Sequence, residues 1–292
     1  MHHARGEVAL RVSGLRPRLA AAAARTVSAS IGIGHGTGLM PRWIARLSFV
    51  CALTFASHAF AQDMFEIQVY DPTVDVPGHG GLEFHLNYVA DGVPDESTAV
   101  STDRLFHATL EPSYGVTKIF EIGGYLQGAA GPGLPFTFGG AKLRAKVKIP
   151  VNESLDLAIN GEVSYVPAKF EANVFGSEIR PIMEYRFTRK WLIDVNPNFD
   201  FDLAGKLAGQ PQFEPCIALR YRLTDQWLLS LEYYAGLGSL THVLPWNQEY
   251  QAPFIAADVD IGSGFGIHFG IGTGLTAATN PFEIKSILSK DF

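Results

Sequence analysis

Lys142-Leu143-Arg144-Ala145-Lys146-Val147-Lys148-Ile149 sets a cation at every even position and an apolar side chain at every odd one. Successive residues of a β-strand point to opposite faces, so this stretch has one charged face and one apolar face. The same period of two recurs from Gly80 onward. Leu82, Phe84, Leu86 and Tyr88 alternate with Glu83, His85 and Asn87, and Phe106, Ala108 and Leu110 alternate with His107, Thr109 and Glu111. Leu155, Leu157, Ile159 and Val163 alternate with Asp156, Asn160, Glu162 and Ser164. Ile193, Val195, Phe199, Phe201 and Leu203 alternate with Asp194, Asn196, Asn198, Asp200 and Asp202. Phe265, Ile267, Phe269 and Ile271 alternate with Gly266, His268, Gly270 and Gly272.

Two kinds of connection separate these runs. Tight turns are expected at 115–118, 150–154, 188–190, 224–226 and 262–264, and longer connections at 91–101, 129–135, 167–175, 204–210 and 236–251. Alternating short and long connections suit a barrel with one periplasmic and one outward end. The pattern predicts an all-β, transmembrane, antiparallel up-and-down barrel of about twelve strands, with both termini periplasmic. A soluble β-sandwich also alternates, but its strands average about 5–6 residues, whereas these runs approach the ten or so of a tilted membrane strand. Tyr114, Tyr185, Phe187, Trp191, Tyr221 and Trp227 sit beside the tight turns, and Tyr88, Tyr165 and Tyr233 lie near the opposite ends. Two aromatic girdles flanking an apolar band fit a lipid-facing wall. The last strand closes on Phe292, with Leu288, Ser286, Ile284 and Phe282 on its phase and Lys290 as the misfit.

The front of the chain has a different character. Arg42 and Arg46 precede the apolar run Leu47-Ser48-Phe49-Val50-Cys51-Ala52-Leu53-Thr54-Phe55, and Ala59-Phe60-Ala61 follows. This is a secretory signal over 40–61, with the mature chain expected to begin at Gln62. Residues 1–39 precede Met40 and read as a disordered or mis-assigned extension, and 62–79 as a short periplasmic segment before the barrel at 80–292. Of 23 basic and 29 acidic residues, 1–61 carry seven arginines and one glutamate. That leaves 16 and 28, a net charge of −12 that disfavours nucleic acid as a partner. After removal of the signal, Cys216 is the lone cysteine and the fold leans on no disulfide.

Several segments carry a further likeness: Phe65-Glu66-Ile67-Gln68-Val69-Tyr70, Gly81-Leu82-Glu83-Phe84-His85-Leu86-Asn87-Tyr88-Val89, Leu110-Glu111-Pro112-Ser113-Tyr114-Gly115-Val116-Thr117, Glu178-Ile179-Arg180-Pro181-Ile182, Phe213-Glu214-Pro215 and Leu231-Glu232-Tyr233-Tyr234. In these the chain resembles a family of bacterial outer-membrane barrels named as transporters of the phenol meta-cleavage pathway type. The resemblance spans most of the mature chain and implies a barrel in the outer membrane.

If the polar phase points inward, the lumen carries opposed charges. Lys142, Arg144, Lys146 and Lys148 form a basic ladder, and Glu162, Glu178, Glu184, Asp194, Asp200 and Glu214 stand on later strands among Arg180, Arg186 and Arg220. Mutual pairing of these groups would merely solvate the interior; the functional alternative is a constriction whose field orients charged or dipolar solutes. Pro181, Pro197 and Pro215 fall on the apolar phase of three successive strands at one height. Each removes a ladder donor, so they mark a kink, read either as a bulge or as a lateral opening for apolar solutes.

No G-x-S-x-G elbow, H-E-x-x-H or H-x-S-N-G stretch occurs, and the Gly262–Gly274 glycines lack the helix a phosphate loop needs. Neither an enzyme, a cofactor nor a metal is expected; His85 and His107 approach on adjacent strands without a clear third ligand. The leading expectation is passive uptake of small solutes, aromatic or apolar compounds among them, with outer-membrane lipid and the barrel-assembly machinery as partners. A structural barrel plugged by its own charges, and a rim-sited lipid-modifying enzyme, are the alternatives.

Overall fold

The computed structural model describes residues 63–93, 100–171, 173–205 and 208–292. The extension, the signal segment and Gln62 lie outside the described residues. Sixteen strands form one antiparallel sheet: β1 Gly80–Asp91, β2 Leu105–Thr117, β3 Phe120–Gly131, β4 Leu134–Asn152, β5 Leu155–Tyr165, β6 Phe175–Arg186, β7 Trp191–Asn196, β8 Phe199–Asp202, β9 Pro211–Phe213, β10 Cys216–Arg222, β11 Trp227–Gly236, β12 Gly238–Ser239, β13 His242–Val243, β14 Tyr250–Gly262, β15 Phe265–Gly272 and β16 Phe282–Asp291. One short 3₁₀ turn, Trp246–Gln248, precedes β14.

The sheet closes on itself. β1 pairs with β2 on one side and with β16 on the other, through a register that sets Phe84 opposite Leu110 and Leu288. β7 and β8 are successive pieces of one wall strand, as are β9 and β10, β11 and β12, and β13 and β14, so the closed barrel has twelve wall strands. Closure removes the exposed edges that an open sheet would present, which is a requirement in lipid.

Burial is inverted relative to a soluble protein. Leu143 is 69% exposed and Ile255 66%, whereas the neighbouring Arg144 is 7% exposed and Lys285 is fully buried. Phe84, Leu86, Leu110, Val147, Ile159 and Leu231 all lie on the exposed outer face. His85, Asn87, Thr109, Asn160 and Asp194 line the inside. An outer wall of large apolar side chains around a polar interior is stable only with hydrocarbon outside.

Aromatic pairs mark both ends of that wall. Trp191 packs on its cross-strand partner Tyr221 at 4.8 Å, and Tyr185 on Phe187 at 5.2 Å, beside the tight turns. At the opposite end Tyr88 stacks on Phe106 at 4.3 Å and Tyr165 packs on Phe175 at 5.4 Å. Lys290 ceases to be a misfit at this level of detail. Its ammonium folds to the carbonyls of Ser263 and Asp291, 2.7 Å each, and lies over the rings of Phe265 and Phe292. An apolar stem with its charge drawn to the rim is what the interface allows.

One connection departs from the expected rhythm. The long link expected over 129–135 is instead a two-residue turn, Pro132-Gly133, because β3 and β4 continue pairing past the rim to Gly131 and Leu134. Gly133 takes φ +74°, which a glycine adopts without steric cost.

Candidate functional site in the barrel lumen

Residues 62–79 were expected as a short periplasmic segment before the barrel; of these, Met64 to Tyr70 pack against lumen side chains, while Val76 to His79 lie exposed at the rim. The correction follows from where their backbone groups find partners. Asn87 Nδ2 donates to the Met64 carbonyl at 3.0 Å, Thr109 Oγ1 to that of Phe65 at 2.9 Å, and Lys285 Nζ to that of Ile67 at 3.2 Å. Arg220 donates to Val69 at 2.9 Å, and the Cys216 thiol points at the Gln68 carbonyl, 3.9 Å away. Asn196 imitates a neighbouring strand: its Oδ1 accepts from the Tyr70 N–H at 2.7 Å while its Nδ2 donates to the Tyr70 carbonyl at 3.0 Å. These donors sit on β1, β2, β7, β10 and β16, around much of the barrel's circumference. Backbone polar groups shielded from water need partners, and here wall side chains supply what a sheet ladder otherwise would.

The segment's side chains lock the centre of the lumen. Glu66 is fully buried and takes ion pairs from Lys142 at 3.1 Å and Arg180 at 3.5 Å, and a hydrogen bond from Tyr70 at 2.5 Å. The Tyr70 hydroxyl also meets that of Tyr125 at 2.6 Å, and the Arg180 guanidinium stacks 4.2 Å over the Tyr70 ring. On the other side Met64, Ile67 and Val69 join Val89, Cys216, Ala218, Tyr234, Tyr250, Ala252 and Phe254 in an apolar cluster inside the polar barrel. Two glycines make room. A Cβ on Gly139 would lie 2.5 Å from the Phe65 ring, and one on Gly115 would lie 2.3 Å from the Asp75 carbonyl oxygen.

The predicted ladder residues are largely ion-paired. Lys142 contacts Asp63 at 2.7 Å and Glu162 at 3.2 Å besides Glu66. Arg144 bonds Glu111 at 2.8 Å and Glu121 at 2.5 Å, Lys146 reaches Glu121 at 3.4 Å, and Lys148 reaches Asp156 at 3.5 Å. Arg180 grips Glu178 with two nitrogens at 2.6 and 2.8 Å. Arg186 pairs with Glu184 and, at 2.7 Å, with Asp156; Arg220 pairs with Asp194 at 2.7 Å. Among the described residues, the side chains of Asp200 and Glu214 have neither a hydrogen-bond nor an ion-pair partner and stand apart from this network.

Four lumen residues central to the packing escaped the sequence reading: Glu66, Tyr70, Asn196 and Lys285. Lys285 pairs with Glu232 and takes the Tyr234 hydroxyl at 2.8 Å. Their inward phase was legible, but the segment they hold was not. His85 and His107 do not converge on one site. His85 Nε2 lies 2.9 Å from Glu111 and 3.3 Å from Glu83, while the His107 ring packs edge-on against Phe65 at 4.8 Å.

The three prolines lie at an interruption of the wall. β6 pairs with β8 through Gly176–Ile179 and with β7 through Met183–Arg186, so Arg180–Ile182 has no ladder partner on that side. Likewise β10 meets β7 at Cys216↔Asn196 and β9 meets β8 at Phe213↔Phe199, leaving 214–215 opposite 197–198. A single bond, Glu214 N–H to the Asn198 carbonyl at 3.0 Å, crosses the second gap.

No family model and no curated protein matches the chain. Solved structures do match in shape. The COG4313 outer membrane channel from Pseudomonas putida F1 superposes with a TM-score of 0.55 at 13% identity, over 78% of this chain and 100% of that one. The KdgM porin superposes with a TM-score of 0.52 at 6% identity, over 73% and 99%. At these identities the likeness is one of fold, a closed antiparallel β-barrel.

Proposed function

We propose that the chain is a passive channel for small solutes in the bacterial outer membrane, and that the seating of residues 63–79 sets whether it conducts. The observation that carries this reading is the contrast between a wall laddered everywhere but at the proline seam and a lumen segment outside the ladder. The wall is bonded strand to strand, whereas the segment is held by side chains that other groups can replace. Its permeant solutes are aromatic or other apolar compounds, for which the proline-broken seam of β6 to β10 offers a way from lumen to lipid. Outer-membrane lipid and the barrel-assembly machinery are the accompanying partners, the latter engaging β16.

The decisive experiment is planar-bilayer conductance of the purified protein beside a variant lacking residues 63–75. Stepwise openings that are larger or more frequent in the truncated form support a channel. Silence from both, with the barrel folded, favours the second reading, a structural barrel filled by its own charges. That reading draws on the tight packing of Glu66, Tyr70 and Arg180. Liposome swelling with phenol-like and sugar solutes then separates apolar from polar selectivity.

A further inference from the structure

At the end of the barrel that carries the long connections, the lumen holds a cavity of about 80 Å³ that is partly open to solvent. Its lining is acidic. Glu162 stands opposite Glu178, and Glu178 opposite Asp200, in register across β5, β6 and β8. Like charges directly opposite on neighbouring strands destabilise a sheet, so this row needs counter-charge.

Part of that charge is answered from within. Lys142 compensates Asp63 and Glu162, Arg180 compensates Glu178, and the Asn173 amide donates to Asp202 at 2.6 Å. Among the described residues, none gives a hydrogen bond or ion pair to the carboxylates of Asp200, Glu214 and Glu171, although Glu214 is more than nine-tenths buried. A second group points the same way. Asn198 lines the cavity, is only 2% exposed, and its Oδ1 has no hydrogen-bond partner. A buried carbonyl oxygen left without a donor is costly unless one arrives from outside, and the carboxylates of Glu214 and Asp200 line the same cavity.

The spacing selects the kind of donor. Neighbouring strands lie about 4.8 Å apart, so carboxylates on successive strands are too dispersed to close around one compact ion. Among the described residues, three potential ligand atoms converge within 4.8 Å only at Glu83, His85 and Glu111, in β1 and β2 and outside this cavity. Separate ammonium groups on a flexible stem match separate carboxylates, and the buried Val166 gives the stem an apolar contact. We propose that this cavity binds an organic polyammonium solute, with its ammonium groups on Asp200 and Glu214, an N–H to Asn198 Oδ1, and its alkyl stem against Val166. The site stands whether or not the lumen conducts.

Calorimetric titration of the folded, detergent-solubilised full chain with spermidine at low ionic strength tests it. Saturable binding is expected, weakened about tenfold or more in the Asp200→Asn/Glu214→Gln double variant. Asn198→Ala should weaken it by a smaller factor, and Asp225→Asn, in an exposed turn, should leave it unchanged. Heat-modifiable gel migration confirms that each variant is folded. Absence of saturable binding by the parent overturns the proposal. So does equal affinity in parent and double variant, or magnesium binding as tightly as spermidine with the same loss on substitution.

Discussion

Between Gly80 and Asp91 the backbone is bonded on both sides, by β2 and by β16, and its side chains are left for lipid and lumen. Just upstream, the backbone of Met64 to Tyr70 has no strand beside it and takes its bonds from Asn87, Thr109, Lys285, Arg220 and Asn196. The two stretches share an extended, alternating character and differ in what completes them. A ladder is a cooperative feature made by many residues at once, so one substitution barely touches it. A segment held by side chains depends on each holder separately. The lumen segment is therefore the part of the molecule that point mutation can release while the wall persists.

Lys285→Met strikes that difference hardest. It strands Glu232 as a buried charge and removes the donor to the Ile67 carbonyl, at an expected cost of about 3–5 kcal/mol. Denaturant unfolding in lipid vesicles measures it, and a loss below about 1 kcal/mol would show that water already shares this site. Asn196→Ala comes next. It deletes both bonds to the Tyr70 backbone and should cost about 1–3 kcal/mol, confined to the segment. Amide exchange should accelerate at Tyr70 and stay slow in β1; equal acceleration in both would erase the distinction between wall and segment.

The seam tests the comparison from the other side, since there the wall itself lacks a ladder. Replacing Pro181, Pro197 and Pro215 together with alanine restores three donors, each new bond contributing about 0.5–1.5 kcal/mol where the gap closes. Slower exchange across β6 to β10 with slower uptake of an apolar solute is expected. Unchanged uptake despite better protection would reduce the seam to a bend. Lys290→Ala should do least, within about 0.5 kcal/mol, because its ammonium sits exposed at the rim.

These outcomes mirror what was and was not legible. The barrel was readable because lipid outside and water inside impose a period of two on every wall strand, so Leu143 and Arg144 declare their faces without a structure. Pro181, Pro197 and Pro215 stood out in the sequence because proline lacks the N–H a ladder requires. The lumen segment was not readable. Phe65 to Tyr70 alternates as a strand does, and nothing local reveals that its partner is the Asn196 amide, more than a hundred residues away. The turn at Pro132-Gly133 was misplaced for a related reason: pairing of β3 and β4 beyond the rim depends on two strands agreeing, which neither encodes alone.

Cys216 is buried at the meeting of β10, Asn196 and the Gln68 carbonyl, and it is the one cysteine of the wall. While the segment is seated, that thiol is screened from water by the chain lying across it. Departure of the segment uncovers it. The rate at which an aqueous alkylating reagent modifies this single atom therefore counts the time the lumen spends vacated, so the protein carries its own stopwatch without any engineered label.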